Sequence, residues 1–140
     1  MSEKLKKISA FLNEHHVMSL ATATADEVSV CSLFYAFNEQ KLSFVVASSD
    51  ETKHVEHIAK NSNIAGNILL ETKIVGKIQG VQFRGNFVPL EDKELKIEYF
   101  KAFPYALALN PKLWQIKVNY FKMTDNRLGF GEKIIWDASV

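Results

Sequence analysis

The segment from 113 to 125 alternates between apolar and polar side chains, and this pattern restricts the possible folds more than any other feature of the chain. A period of two residues is typical of a β-strand with two chemically different faces. The segment therefore predicts one long strand within a sheet. The side chains predicted on one face are Trp114, Ile116, Val118 and Tyr120, and those on the other face are Gln115, Lys117 and Asn119.

Shorter strands and three helices are predicted around this strand. The strands cover 17–23, 28–37, 42–48 and 64–70, and 72–90 is either a strand pair or one long bent strand. One helix follows Ser2 and ends near 13–16, a second lies between 52 and 61, and a third covers 91–103. About six strands with helices inserted between them predict an α+β fold, a small antiparallel β-barrel with flanking helices. Glycines inside the strand pattern indicate bulges or tight bends, at Gly76, Gly80 and Gly85.

Length, charge and cysteine content exclude several classes of protein. The 140 residues contain no repeat or linker, so residues 1–140 are expected to form a single domain. Seventeen basic and sixteen acidic residues leave a charge of +1, which argues against nucleic acid as a partner. The lone Cys31 excludes an internal disulfide and a multi-cysteine zinc site. No apolar stretch suits a membrane helix or a signal sequence, so we expect a cytoplasmic protein without a membrane partner.

The junction between the third strand and the second helix, residues 46–54, is the best local candidate for a binding site. A helix N-terminus offers free backbone N–H groups that suit a phosphate, and Thr52 and Lys53 add a hydroxyl and an ammonium. Ser, Asp and Thr also cap helices routinely, and Asp50 and Glu51 would compete with an anion. The residues alone leave both interpretations open.

Histidines and the cysteine give weaker signals. His54 and His57 lie three apart, and His15 and His16 are adjacent, but no cysteine or carboxylate pattern completes a metal site around either pair. We therefore expect no metal site, and capping, packing or exposure for each histidine. Cys31 lies in a strand and is expected to be a buried, unreactive thiol. The chain has no nucleophile elbow, dinucleotide-binding glycine motif or P-loop.

Two further segments stand out. Gln82 and Arg84 lie between glycines in a strand and are predicted to share one face. On a surface they would be unremarkable; in a cleft they would suit a heteroaromatic edge or an anion. The C-terminal run 124–136 is either a packed tail or a segment that closes over a ligand or docks on a partner subunit through Phe130, Lys133 and Trp136.

The order of elements resembles the pyridoxamine-phosphate-oxidase-like, FMN-binding split-barrel superfamily. Residues 28–35 and 41–44 look like its second and third strands, Thr52-Lys53-His54 falls at its phosphate clamp, and 61–65 is similar to the exit from its short helix. The segments 80–85 and 124–136 closely resemble the poorly characterised, YhbP-like bacterial branch. The likeness covers nearly the whole chain.

This resemblance implies a homodimer with two FMN sites at the subunit interface. The phosphate clamp is less basic than in the oxidases, and their C-terminal Arg-x-His pattern is absent, which argues against oxidation of pyridoxamine phosphate. The implied contacts are Val30, Cys31, Ser32 and Leu33 along the isoalloxazine, Val46 and Ala47 along the ribityl chain, Thr52 and Lys53 at the phosphate, Gln82 at the flavin edge, and Lys133 and Trp136 from the other subunit.

Two hypotheses about function follow. The first is a dimeric FMN-binding, oxidoreductase-like protein with an unknown small-molecule substrate, and no side chain is identified as a catalytic acid or base. The second is a non-catalytic module that binds haem or flavin on the same barrel. For haem, the candidate ligands are His15, His16, His54 and His57.

Overall fold

The computed structural model describes residues 2–129 and 131–140, in which three α-helices and eight strands are present. Two short 3₁₀ turns cover Val75–Lys77 and Pro104–Leu109. The helices are α1 (Glu3–Glu14), α2 (Lys53–Lys60) and α3 (Lys93–Ala102). The strands are β1 (Val17–Ala23), β2 (Val28–Phe34), β3 (Ala36–Asn38), β4 (Ser43–Ala47), β5 (Asn63–Leu69), β6 (Gln79–Pro89), β7 (Leu113–Asp125) and β8 (Lys133–Asp137).

All eight strands belong to one antiparallel sheet with the order β2-β1-β5-β6-β7-β4-β3, and β8 also pairs with β7. One edge of β7 is shared, because its first half pairs with β4 and its second half with β8. β2 and β4 contact each other without pairing, so the sheet is curled. These features confirm the predicted α+β, split-barrel type of fold, with eight strands rather than about six.

The core lies inside the curled sheet and is closed on one side by α1. Phe44, Phe83, Phe87 and Phe121 are fully buried there, and α1 adds an apolar stripe that includes Leu12. Burial of this apolar surface is the main force that holds helix and sheet together. A second cluster lies under α3 and is formed by Val45, Leu95, Tyr99 and Leu113.

A β-bulge in β7 changes which side chains face the core. Arg84 of β6 is paired with Tyr120 and Gly85 with Val118, so Asn119 is an extra residue on β7. Before the bulge, Trp114, Ile116 and Val118 are buried; after it, Phe121, Met123 and Asp125 are buried. The prediction that Tyr120 shares a face with Trp114 was therefore wrong, since one extra residue reverses the alternation.

Two other segments differ from the prediction. The strand expected at 28–37 is divided at Tyr35, because β2 pairs with β1 whereas β3 pairs with β4. The first part of the strand expected at 72–90 is a 3₁₀ turn around Gly76, and only β6 is extended. Among the described residues, no helix has the length and hydrophobicity needed to cross a membrane.

Candidate functional site

The start of α2 is held against the β1–β2 hairpin by a group of polar side chains. Thr52 occupies the N-cap position, but its Oγ1 donates to the carbonyl of Ser49 at 2.8 Å. Among the residues that the structure describes, no side chain therefore caps the first-turn N–H groups of α2. The ammonium of Lys53 is half exposed and lies 3.6 Å from a carboxylate oxygen of Glu27 and 3.6 Å from one of Glu56.

His57 is the buried centre of this group. Its Nε2 lies 2.7 Å from Oε1 of Glu27, and its Nδ1 lies 2.8 Å from Oγ1 of the buried Thr22. The hydrogen bond from His57 and the nearby charge of Lys53 lower the pKa of Glu27 below its usual value. An ionised carboxylate only accepts hydrogen bonds, so Nε2 of His57 donates to Glu27. We call Thr22, Glu27, Lys53 and His57 the α2 cluster.

The other histidine of α2 is also buried and engaged. Nε2 of His54 lies 2.7 Å from Oγ of Ser48, and its ring packs against Phe87. Burial, together with the nearby His57, lowers the pKa of His54 below its ordinary value. Both ring nitrogens of His57 and Nε2 of His54 are therefore engaged inside the protein.

The histidine pair at the end of α1 borders a separate cleft. His15 stacks on Phe11 and places Nδ1 2.9 Å from its carbonyl oxygen, while His16 is exposed. Both residues line a cleft of about 570 Å³ between α1, β3 and α3, whose wall includes Glu98. Among residues 2–129 and 131–140, no three His, Cys, Asp or Glu side chains are grouped as a metal site.

A second candidate site is a groove on the face of the sheet that points away from the core. Its floor is made of small side chains from β1 and β5, including Ala21 and Ala65, and its volume is about 460 Å³. The bulge of β7 turns Tyr120 into this groove, where the guanidinium of Arg84 lies 3.9 Å from the ring centroid. We call it the outer groove; its polar lining residues are Ser19, Asn67, Gln82, Arg84, Tyr120 and Lys122.

The charge of the outer groove is positive. Arg84 and Lys122 line it, and no carboxylate does among the residues that the structure describes. The predicted shared face of Gln82 and Arg84 is observed, and Val30 of β2 borders the same groove. Planar groups and hydrogen-bond donors stand next to each other here, which suits a heteroaromatic or anionic ligand.

The four β2 residues of the predicted flavin contact have two orientations. Val30 and Ser32 are exposed, whereas Cys31 and Leu33 are half-buried and pack against the core. Burial raises the pKa of the Cys31 thiol, so the thiol stays protonated at neutral pH. In β4, Val46 is fully buried in the core and Ala47 is half-buried, so Val46 has only its backbone to offer a ligand.

The C-terminal residues of the prediction are separated from both candidate sites. Lys133 is exposed at the start of β8, and Trp136 is half-buried with its ring 6.1 Å from that of Phe121. Phe130 lies outside the described residues. Val30 and Gln82 meet at the outer groove, and Thr52 and Lys53 are adjacent at the start of α2. Within the described part of one chain, no described pocket joins the two groups.

Sequence reasoning missed the residues that complete each group. Thr22 and Glu27 lie at the end of β1 and before β2, and nothing in the spacing indicates that they meet His57, 35 and 30 residues further along. Tyr120 was missed because of the bulge. A glycine in the strand pattern, Gly85, was the one available signal for that bulge.

Comparison with known proteins gives the family. The family model for pyridoxamine 5'-phosphate oxidase matches residues 5–118. The UPF0306 protein plu4501 of Photorhabdus laumondii is 37% identical over 138 residues, covering 96% of this chain and 96% of that protein. The UPF0306 protein YhbP of Escherichia fergusonii is 35% identical over 137 residues, covering 96% and 93%.

Several solved structures share this fold at low sequence identity. A haem-binding protein from Mycobacterium smegmatis has a TM-score of 0.77 at 17% identity, covering 98% of this chain and 57% of that one. A FAD-binding protein from Mesorhizobium loti has a TM-score of 0.71 at 15% identity, covering 84% and 90%. Such identities support the fold only. The matched family model and the UPF0306 relatives show that this chain belongs to the pyridoxamine 5'-phosphate oxidase-like family, in its UPF0306, YhbP-like branch.

Proposed function

We propose that this protein is an FMN-binding, oxidoreductase-like homodimer in which a second copy completes each flavin site. The observation that carries the proposal is the separation of two half-sites on one chain. The start of α2 offers Lys53 and uncapped N–H groups, and the outer groove offers aromatic and amide groups. FMN needs both kinds of contact at once, so each half-site would work with the complementary half of a partner.

Exposed apolar residues support a second copy. Val28 and Val30 of β2 are 79% and 71% exposed, and Phe34 on the same face is 60% exposed. Apolar patches of this kind at the edge of a sheet favour burial against another surface. A partner placed over β2 would cover these side chains and the outer groove together, and would exclude water from the flavin.

The residues present fit an FMN molecule. Lys53, the hydroxyl of Thr52 and the first-turn N–H groups of α2 would hold its phosphate, and Ala47 and the backbone of Val46 would follow the ribityl chain. When bound, FMN supplies the capacity to accept and donate electrons. The residues proposed at the ring are Val30, Cys31, Ser32, Leu33 and Gln82, with Arg84 near its edge, and Lys133 and Trp136 are proposed to come from the partner.

Absorbance and mass in solution test the proposal directly. We expect a flavin band near 450 nm in the purified protein or after addition of FMN, and the mass of a dimer. Lys53→Met should weaken FMN binding about tenfold, because an ion pair with phosphate is lost. Lys60→Met, which removes an exposed lysine from the last turn of the same helix, is the matched control. A monomer that takes up no FMN would refute the proposal.

Haem is the second candidate ligand. Besides the Mycobacterium smegmatis protein, the fold is shared by the haem storage protein HutZ of Vibrio cholerae, at 14% identity and a TM-score of 0.68. His16 is the exposed histidine at the cleft beside α1, whereas His54 and His57 are engaged inside the protein. A Soret band that appears on haem titration and is lost in His16→Ala would favour haem over FMN.

A further inference from the structure

The charge around Lys53 is negative, although Lys53 is the proposed phosphate ligand. Its ammonium lies 3.6 Å from each of two carboxylates, those of Glu27 and Glu56. Asp50, two residues before the helix cap, is paired with Lys112 at 2.8 Å and adds no net charge. A phosphate at Lys53 would therefore share one ammonium with two carboxylates.

The two carboxylates are held differently. The side chain of Glu27 is fixed by the buried ring of His57, which is itself held by Thr22. The backbone carbonyl of Glu27 accepts a hydrogen bond from the N–H of Thr24 at 2.8 Å. Glu56 is more exposed and meets Lys53 only as a neighbour three residues along the helix. A side chain of that kind rotates away at little cost, since exposed ion pairs contribute little. Glu27 lacks this freedom.

We propose that Glu27 is a specificity residue that reduces the preference of the site for a phosphorylated ligand. This inference rests on the proposed flavin site. The fixed carboxylate repels the phosphate of FMN and leaves riboflavin, which has no phosphate, unaffected. The natural protein then accepts flavins with and without phosphate at similar affinities, and the selectivity of the site depends on one side chain of the β1–β2 hairpin.

The test compares Glu27→Gln with Glu56→Gln in the full-length protein. Glutamine keeps an oxygen that accepts from Nε2 of His57, so the cluster stays intact while one charge is removed. Dissociation constants for FMN and for riboflavin are measured for each variant by flavin fluorescence. Unfolding midpoints in urea verify that both variants are folded.

We expect Glu27→Gln to bind FMN about tenfold more tightly, as one unit charge a few ångströms away at a protein surface would require, and riboflavin within twofold of the natural protein. Glu56→Gln should give less than half of that gain. An unchanged ratio of the two affinities in Glu27→Gln, or an equal gain in Glu56→Gln, overturns the inference and leaves the proposed flavin site intact.

A failure of the proposed flavin site would give a different result from a failure of the inference about Glu27. If neither flavin binds any variant, the flavin site is refuted, and inorganic phosphate then decides the role of Glu27. Its binding is followed through the backbone amide resonances of residues 53–55. Tighter phosphate binding in Glu27→Gln supports the repulsion by Glu27, and equal binding in both proteins overturns it.

Discussion

The α2 cluster and the outer groove are both polar, but they differ in where their polar groups find partners. In the α2 cluster, His57 has one partner on each ring nitrogen, and Thr22 and Glu27 supply them from the neighbouring hairpin. In the outer groove, Arg84 rests on the ring of Tyr120, and the carboxylate nearby, that of Asp137, lines an adjoining cleft instead. Both ring nitrogens of His57 therefore have partners inside the protein, whereas no carboxylate lines the outer groove among the described residues.

Because of this difference, we expect substitutions in the α2 cluster to change stability and substitutions in the outer groove to change ligand binding. Buried polar groups are costly when a partner is removed, so the buried members of the α2 cluster, Thr22 and His57, should matter for folding. Exposed groups stay solvated after a substitution, so side chains of the outer groove should matter for ligands. The exception is the backbone of the β7 bulge beside the groove, where the strands approach each other closely.

The largest expected effect is at that bulge. A Cβ added to Gly85 would overlap the carbonyl oxygen of Lys117, which is backbone and cannot move aside. We expect Gly85→Ala to lower the free energy of unfolding by about 3 kcal/mol, measured by urea denaturation. At Gly80 the nearest atom to an added Cβ is 3.4 Å away, so Gly80→Ala is the matched control. Equal losses in the two variants would show that the close approach at Gly85 is unimportant.

The next effect is in the α2 cluster. Thr22→Val keeps the shape of the side chain but leaves Nδ1 of the buried His57 without its partner. We expect a loss of about 2 kcal/mol in the free energy of unfolding. Thr24→Val, in the adjacent turn, makes the same chemical change at a more exposed position and should cost much less. A neutral Thr22→Val would mean that water replaces the hydroxyl.

A smaller effect is expected from pH. The folded chain keeps the pKa of His54 below its ordinary value, mainly through burial and also through His57. As the pH falls below about 6.5, the unfolded chain takes up a proton at this histidine before the folded chain does, so stability decreases. Urea midpoints should therefore fall between about pH 7 and about pH 5. In His54→Gln, the urea midpoint should depend less on pH over this range. An unchanged pH dependence would mean that another group causes it.

The smallest effect on folding is expected in the outer groove. Tyr120→Leu removes the ring under the guanidinium of Arg84, an interaction worth about 0.5 kcal/mol at an exposed site. The free energy of unfolding should change by about that amount, while affinity for FMN should fall severalfold. A large loss of stability without a change in affinity would reverse the contrast between the two regions.

Most of the fold was predictable from the sequence because it depends on local periodicity. The helices α1, α2 and α3 and the strands β1 and β4 are present close to the predicted positions. The division at Tyr35 was not predictable, since it arises when the chain changes partner from β1 to β4. Which strands pair is decided by the whole sheet, and no local pattern records it.

The candidate sites were predictable only in part. Thr52 and Lys53 were found because a helix start has a recognisable composition, and Gln82 and Arg84 because their spacing puts them on one face. The pairing of Glu27 with Lys53 and His57 was not found, because it joins a hairpin to a helix about 30 residues away. Proximity of this kind follows from tertiary structure and has no signature in either segment alone.

The extra residue at Asn119 has a consequence for comparing this chain with its relatives. A one-residue gap in an alignment is usually taken as a difference in loop length, but here the gap would lie inside a paired strand. Deleting Asn119 would move Tyr120 and Lys122 toward the interior and Phe121 toward the solvent. An alignment that is wrong by one position at this point would assign core residues to the outer groove. The groove residues of relatives can therefore be compared only after the bulge has been matched.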